Sequence, residues 1–221
     1  MRVGACAGTH GVREGLRRRR AWQRAVYDRT VGHAASGDTS PEAHLRPSIL
    51  VVGRNRVGKS TAARFLSQHL SLTAVELGAR VRLAQASDRS LARETGVAFC
   101  ELLARKGKGL VRDWVSEAGV SSMNPGIVVG VRDRDSFDDL RKYLSGPLVL
   151  AVLASFTRRL GRPQRVGESE ASLRLSDLRQ GLWGLDSIIS EASFVVDNSR
   201  ELRDFHGQLR DLLPDLGRRR S

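Results

Sequence analysis

Cysteine is scarce here. Only Cys6 and Cys100 occur in 221 residues, which gives no disulfide framework of the kind that staples small secreted domains. The five histidines, His10, His33, His44, His69 and His206, are scattered without metal-ligand spacing. Aromatic residues make up 5% of the chain, and no aromatic-laced basic platform for nucleic acid is present. Nor is there a zinc module or a helix-turn-helix signature. No run of 18 apolar residues exists, so no transmembrane helix is expected. The Arg-rich N-terminus has no uninterrupted apolar stretch, which argues against a secretory signal and makes the cytoplasm the expected compartment. Acids are in the minority: 24 Asp and Glu face 37 Lys and Arg, a formal charge of +13.

That excess favours anionic partners, nucleotides and nucleic acids alike. Much of it lies at the ends. Residues 1–47 hold nine arginines and four acids, and the chain closes with Arg218-Arg219-Arg220. Within 12–31 the run Arg17-Arg18-Arg19-Arg20-Ala21-Trp22-Gln23-Arg24-Ala25-Val26-Tyr27 has a thin apolar face. A basic helix touching RNA or a membrane surface is one reading, and a solvated extension is the other. Gly, Ala, Ser, Asp, Thr and Pro make 32–47 a linker. The length allows one α/β core or two small domains.

From residue 48 onward the pattern is organised around one stretch. Ser48-Ile49-Leu50-Val51-Val52 reads as a buried strand, and Gly53-Arg54-Asn55-Arg56-Val57-Gly58-Lys59-Ser60 is a complete Walker A motif, followed by Thr61. Gly53 and Gly58 permit the tight turn that aims backbone N–H groups at phosphate oxygens. Lys59 sets a point charge by the β- and γ-phosphates, and the Ser60 hydroxyl is an Mg²⁺ ligand. A helix opening there adds the positive end of its dipole.

Beyond the loop, helices are predicted over 61–70, 79–86, 90–103 and 110–115, with a short strand at 72–75. The helical stretch after the first strand pair resembles in position an acceptor-side insertion. Strands are predicted at 126–131, 148–154 and 194–196, with helices from Ser136 as a cap, over 175–192 and over 200–213 behind Asn198-Ser199. The segment 157–168 is too charged for a core. Continuous apolar strands alternating with helices imply a three-layer α/β/α P-loop fold with a mostly parallel sheet.

From 48 to 213 the order of signatures resembles the adenylate-kinase-like nucleoside and nucleotide kinases. It is nearest the group of dephospho-CoA kinases, bacteriophage-type deoxynucleoside monophosphate kinases and their archaeal relatives. The features that carry the resemblance are the P-loop, Val128-Val129-Gly130-Val131-Arg132, the arginines after the 148–154 strand, Asp177-Leu178-Arg179, and Phe194-Val195-Val196-Asp197-Asn198-Ser199. It implies a kinase-like domain over 48–215 with ATP and Mg²⁺ as cofactors, an insertion over 76–120, a lid over 158–174 and a basic tail over 216–221. Residues 53–61 and Asn198 would bind the donor nucleotide, and Arg158, Arg159 and Arg162 its outer phosphates. Arg132 with Arg80 or Arg82 would meet an acceptor phosphate. A monomer or homodimer is expected.

Val129 departs from the group, whose strand often ends there in an acid. Asp133, Asp135, Glu76 and Asp88 are the candidate replacements. Three functions follow: a phosphotransferase acting on a nucleoside monophosphate or similar phosphorylated acceptor, a nucleotide-binding regulatory or degenerate protein, or an ATP-using partner of nucleic acid. A GTPase fits less well. No Asn-Lys-x-Asp motif occurs, and Asp204-Phe205-His206-Gly207 falls in the terminal helix.

Overall fold

Strand β1 (Ile49–Val52) is fully buried on both faces and occupies the middle of a five-stranded sheet. The structure is a computed structural model that describes residues 46–162 and 169–217. All of these belong to one compact unit, Ser40–Ser221. The expected basic helix over 12–31, the linker before Arg46, residues 163–168 of the expected lid and the run 218–220 lie outside the described residues.

The remaining strands are β2 (Thr73–Glu76), β3 (Gly126–Val129), β4 (Leu148–Leu153) and β5 (Phe194–Asp197), in the order β2-β3-β1-β4-β5. Every pairing is parallel. A parallel neighbour requires a crossover, and here helices supply them. They are α1 (Lys59–Leu70), α2 (Leu77–Ser87), α3 (Thr95–Lys106), α4 (Leu110–Glu117), α5 (Arg134–Tyr143), α6 (Phe156–Leu160), α7 (Glu170–Leu182), α8 (Leu185–Ser190) and α9 (Leu202–Leu216).

The period-2 alternation of the strands divides the core. Ile49, Val51, Ile127, Val129, Leu150 and Val152 pack with Phe65 and Leu66 of α1 and Phe205 and Leu209 of α9. Leu50, Val52, Val75, Val128, Val149 and Ala151 face the other way, toward Val81, Phe99, Val111, Phe137, Leu140 and Ile188. Both faces of the sheet are therefore covered, the three-layer arrangement expected from unbroken apolar strands. Gly126 has a packing reason of its own. A Cβ there would lie 2.5 Å from Val120 and 2.9 Å from the Thr73 carbonyl, so only glycine lets β3 start beside β2.

Four expectations need correction. The helix expected over 90–103 starts at Thr95, because Asp88 accepts from the Ser90 N–H and hydroxyl and turns the preceding chain. Helix α5 is capped by Asp133 accepting from the Ser136 N–H, not by Ser136, which is buried in its first turn. The single helix over 175–192 is two, broken at Gly184, whose φ of 89° no ordinary helical residue adopts. Helix α9 begins at Leu202 behind Glu201, since Asn198 is used elsewhere and Ser199 turns onto Asp197.

Candidate active site

Strand β1 delivers the chain into the loop at residues 53–58 at the carboxyl end of the sheet, where ligands gather in open α/β folds. Gly53 adopts φ 138° and passes so close to β4 that a Cβ would sit 2.3 Å from the Val152 carbonyl oxygen. Gly58 adopts φ 103°, and a Cβ there would meet the Asn198 amide at 2.3 Å. Arg56, a non-glycine residue, also takes a positive φ of 65°. Three positive-φ residues in one loop are what it takes to wrap backbone around a phosphate.

Lys59 opens α1, and its Nζ donates to the carbonyls of Gly53 and Arg54 at 2.8 and 2.6 Å. The ammonium is thus held over the mouth of the loop, where phosphate oxygens would exchange with neutral carbonyls. Ser60 follows in the first turn of α1, exposed, and Thr61 is half-buried. The N-cap Gly58 gives α1 no side-chain cap, which leaves its first N–H groups for an anion.

The other loop side chains serve as anchors. Arg54 binds the Asp186 carboxylate at 2.6 and 2.9 Å and the Asp177 carbonyl at 2.7 Å. Asn55 donates to the Ser176 hydroxyl at 2.7 Å, and Val57 is buried. Arg56 and Arg162 each donate to the other's backbone carbonyl. Asn198, buried, donates to the Val57 carbonyl at 2.8 Å and so clips the end of β5 to the loop.

Lys59, Ser60 and Thr61 form one side of a cavity of about 730 Å³. Arg82, Arg93 and Arg132 line it as well, with Glu76, Glu94 and the start of α3 at Thr95 and Gly96. Ser172, Leu173 and Ser176 of α7 contribute another part. Arg132 is brought here by Gly130, whose φ of 89° turns the chain as its N–H bonds the Val51 carbonyl at 3.0 Å. A Cβ on Gly78 would lie 3.2 Å from the Arg82 Nη1 and 3.9 Å from the Arg132 Nη2, so the two guanidinium groups converge over that glycine. Glu94 is engaged by Arg179 in an ion pair.

The arginines named from sequence therefore separate. Arg82 and Arg132 share a cavity with Lys59, whereas Arg80 faces Glu117 at 3.3 Å and the Trp114 carbonyl and does not line it. Arg158 is exposed and bonds the Arg200 carbonyl at 2.9 Å. Arg159 contradicts the expectation that its segment is too charged to be buried: it is 4% exposed, held by both Asp177 oxygens at 2.8 and 2.5 Å. Arg162 touches the loop and the Asn198 carbonyl, at 2.8 Å. Its basicity is lowered by burial and then by the charges of Arg158, Arg56 and Arg159.

Among the candidate replacements for the missing acid, Glu76 alone lines the cavity. Asp88 is bound to Ser90 and Arg105, and its carboxyl is held below the usual range chiefly by the Ser90 hydroxyl. Asp135 pairs with Lys108 at 2.7 Å, and Asp133 caps α5. A hydroxyl on Ser60 and a carboxylate on Glu76 form a hard oxygen donor set that suits hydrated Mg²⁺, an ion that takes one or two protein ligands and completes its shell with water and phosphate. Arg93 is a cavity residue that the sequence hides, because the stretch 90–103 reads as one helix. The Thr-Gly pair at 95–96 is the available sign of a later helix start.

No family model matches the sequence. The chain is similar to proteins described as UPF0200 protein, 26% identical over 175 residues in Methanosarcina mazei and 27% over 179 residues in Methanoculleus marisnigri. Those matches cover 75% and 77% of this chain and 92% and 97% of the relatives. Among solved structures, a gluconokinase from Sinorhizobium meliloti 1021 superimposes with a TM-score of 0.52 at 18% identity, over 78% of this chain and 94% of that one. A shikimate kinase from Bacteroides thetaiotaomicron gives 0.51 at 14%, over 77% and 98%. The chain has the α/β fold of P-loop kinases. Among the described residues no helix is long and apolar enough to cross a membrane.

Proposed function

We infer that this protein is an ATP- and Mg²⁺-dependent phosphotransferase acting on a small anionic acceptor, a nucleoside monophosphate or a comparably small phosphorylated molecule. The observation that carries the reading is one cavity lined both by the phosphate grip of Lys59, Ser60 and the loop and by three arginines, Arg82, Arg93 and Arg132. A phosphate-binding loop alone requires only a nucleotide. Three further arginines in the same cavity, against Glu76 and Glu94, supply the charge and the forked donors with which a second anion is bound.

Phosphoryl transfer asks little covalent chemistry of a protein; it asks for charge around the moving group and reactants held in line. The loop amides and Lys59 hold the donor's outer phosphates, and Ser60 would hold an Mg²⁺ ion that supplies further neutralising charge there. Arg82 and Arg132 fix the acceptor's charge, their forks matched to phosphate or carboxylate oxygens. Support for a small acceptor also comes from the fold, which is that of the gluconokinase and the shikimate kinase above.

ADP release coupled to Mg-ATP, run against nucleoside and deoxynucleoside monophosphates, dephospho-CoA, gluconate and shikimate, tests the reading. Acceptor-dependent turnover with at least one is expected, and Lys59→Ala should lower it by about 10² to 10³-fold. Val129 in place of the acid favours one alternative, a nucleotide-binding regulatory protein. Tight ATP binding with no acceptor-dependent ADP release across the panel would establish that alternative and overturn the phosphotransferase.

A further inference from the structure

Strand β3 ends in Val129, whose side chain offers no ligand to a cation, yet Val129 lines the cavity beside Lys59 and Ser60. We propose that Glu76, on the adjacent strand, performs the task of the absent acid and positions the hydrated Mg²⁺ of the bound donor nucleotide. This rests on the donor site inferred above.

The sheet register places the two residues side by side. Glu76 is the parallel partner of Val129, one strand spacing of about 4.8 Å away. Side-chain alternation then decides which way Glu76 points. Val75 packs into the layer that holds Val128, while Ala74 and Val129 belong to the layer built with α1. Glu76 alternates with Val75, so it leaves the sheet on the α1 side, the side whose helix begins with Lys59 and Ser60. The side chain is also one methylene longer than aspartate, which recovers part of the lateral displacement of one strand.

Occupancy of the other carboxylates points to the same residue. Glu94 is held by Arg179, Asp88 by Ser90 and Arg105, Asp135 by Lys108, and Asp133 by the first turn of α5. Among the described residues the Glu76 carboxylate makes no hydrogen bond or ion pair, although it stands in a cavity rich in arginine. A carboxylate placed there, with no partner among the described residues, can accept from a metal-bound water, the contact that small, reluctantly dehydrated Mg²⁺ prefers.

The test reads metal linkage rather than turnover. ATP affinity of the full chain is measured by calorimetry with Mg²⁺ and with EDTA, and the ratio of the two is the metal increment. For Glu76→Gln the increment should fall by about tenfold while affinity in EDTA is kept or improved, since a negative charge leaves a phosphate site. Glu76→Asp, which keeps the charge and shortens the reach, should lose part of the increment. Glu76→Gln/Val129→Asp, if its thermal melt matches the wild type, should regain it.

A wild-type increment in Glu76→Gln overturns the inference and leaves the phosphotransferase standing. The inference also falls if Glu76→Gln lowers turnover without touching the increment, because the carboxylate then serves the acceptor. Failure of the wild type to bind ATP overturns both.

Discussion

Arg159 is 4% exposed and donates to both oxygens of Asp177, itself 15% exposed, at 2.8 and 2.5 Å. Removing one partner of such a buried pair leaves the other charge without compensation, which costs about 3–5 kcal/mol. Arg159→Ala is therefore expected to lower stability by that amount in urea denaturation, with Arg159→Met/Asp177→Leu recovering most of it. A loss below about 1 kcal/mol for the single variant would show that Asp177 finds another partner or water. From sequence alone Arg158, Arg159 and Arg162 are three equal cations after β4. What distinguishes them is a carboxylate on α7 and the backbone carbonyls of Arg56, Asn198 and Arg200, all brought close only by the fold. The loop glycines are legible because their backbone angles are demanded by a contiguous motif. Arg82 and Arg132 can be named from their places beside strand ends. Arg80, two residues from Arg82, looks equivalent in sequence and yet points to Glu117.

At the scale of elements, the strands are the most legible because parallel strands buried on both faces carry unbroken apolar runs, such as Leu148-Val149-Leu150-Ala151-Val152. Helix ends are less so, because a cap is a local competition among polar side chains. At α5, Asp133 prevails over Ser136, and the choice has a titration consequence. Burial, its largest cause, raises the Asp133 carboxyl above its ordinary value, and the bonds from Ser136 only partly oppose that. Asp135 adds a like charge. A raised folded value means that Asp133 contributes stability fully present below the unfolded value of about 3.9 and lost as pH rises through the folded one. An asparagine in its place would still accept the Ser136 N–H and would have no charge to desolvate. Asp133→Asn should thus match the wild type below about pH 4 and become progressively more stable than it as pH rises toward neutrality. Urea midpoints measured across that range check the sign. A difference independent of pH, or one that favours the wild type at neutrality, would mean that the carboxylate's interaction with the helix start outweighs its burial.

Strand order belongs to the whole molecule, and it is why the pairing of Glu76 with Val129 is not legible in the chain. The two are far apart in sequence, and only the β2-β3-β1 order of strands makes them neighbours. Charge distribution has the same character. The formal +13 counts residues wherever they stand, including the basic run at 17–20 and the closing arginines. The charges that line the cavity are fewer: Arg56, Lys59, Arg82, Arg93 and Arg132 against Glu76 and Glu94. Low-dielectric walls focus such a field and draw polyanions in, with a reach set by the Debye length, about 30 Å at 0.01 M salt and about 8 Å at 0.15 M. The association rate of a fluorescent ATP analogue, followed by stopped flow, should fall by about tenfold between those ionic strengths while its dissociation rate changes little. Arg82→Gln/Arg132→Gln should flatten that slope, because the double change removes two of the charges that face the loop. A double variant that keeps the wild-type salt slope would place the steering field in the charge outside the cavity, on the rest of this basic chain.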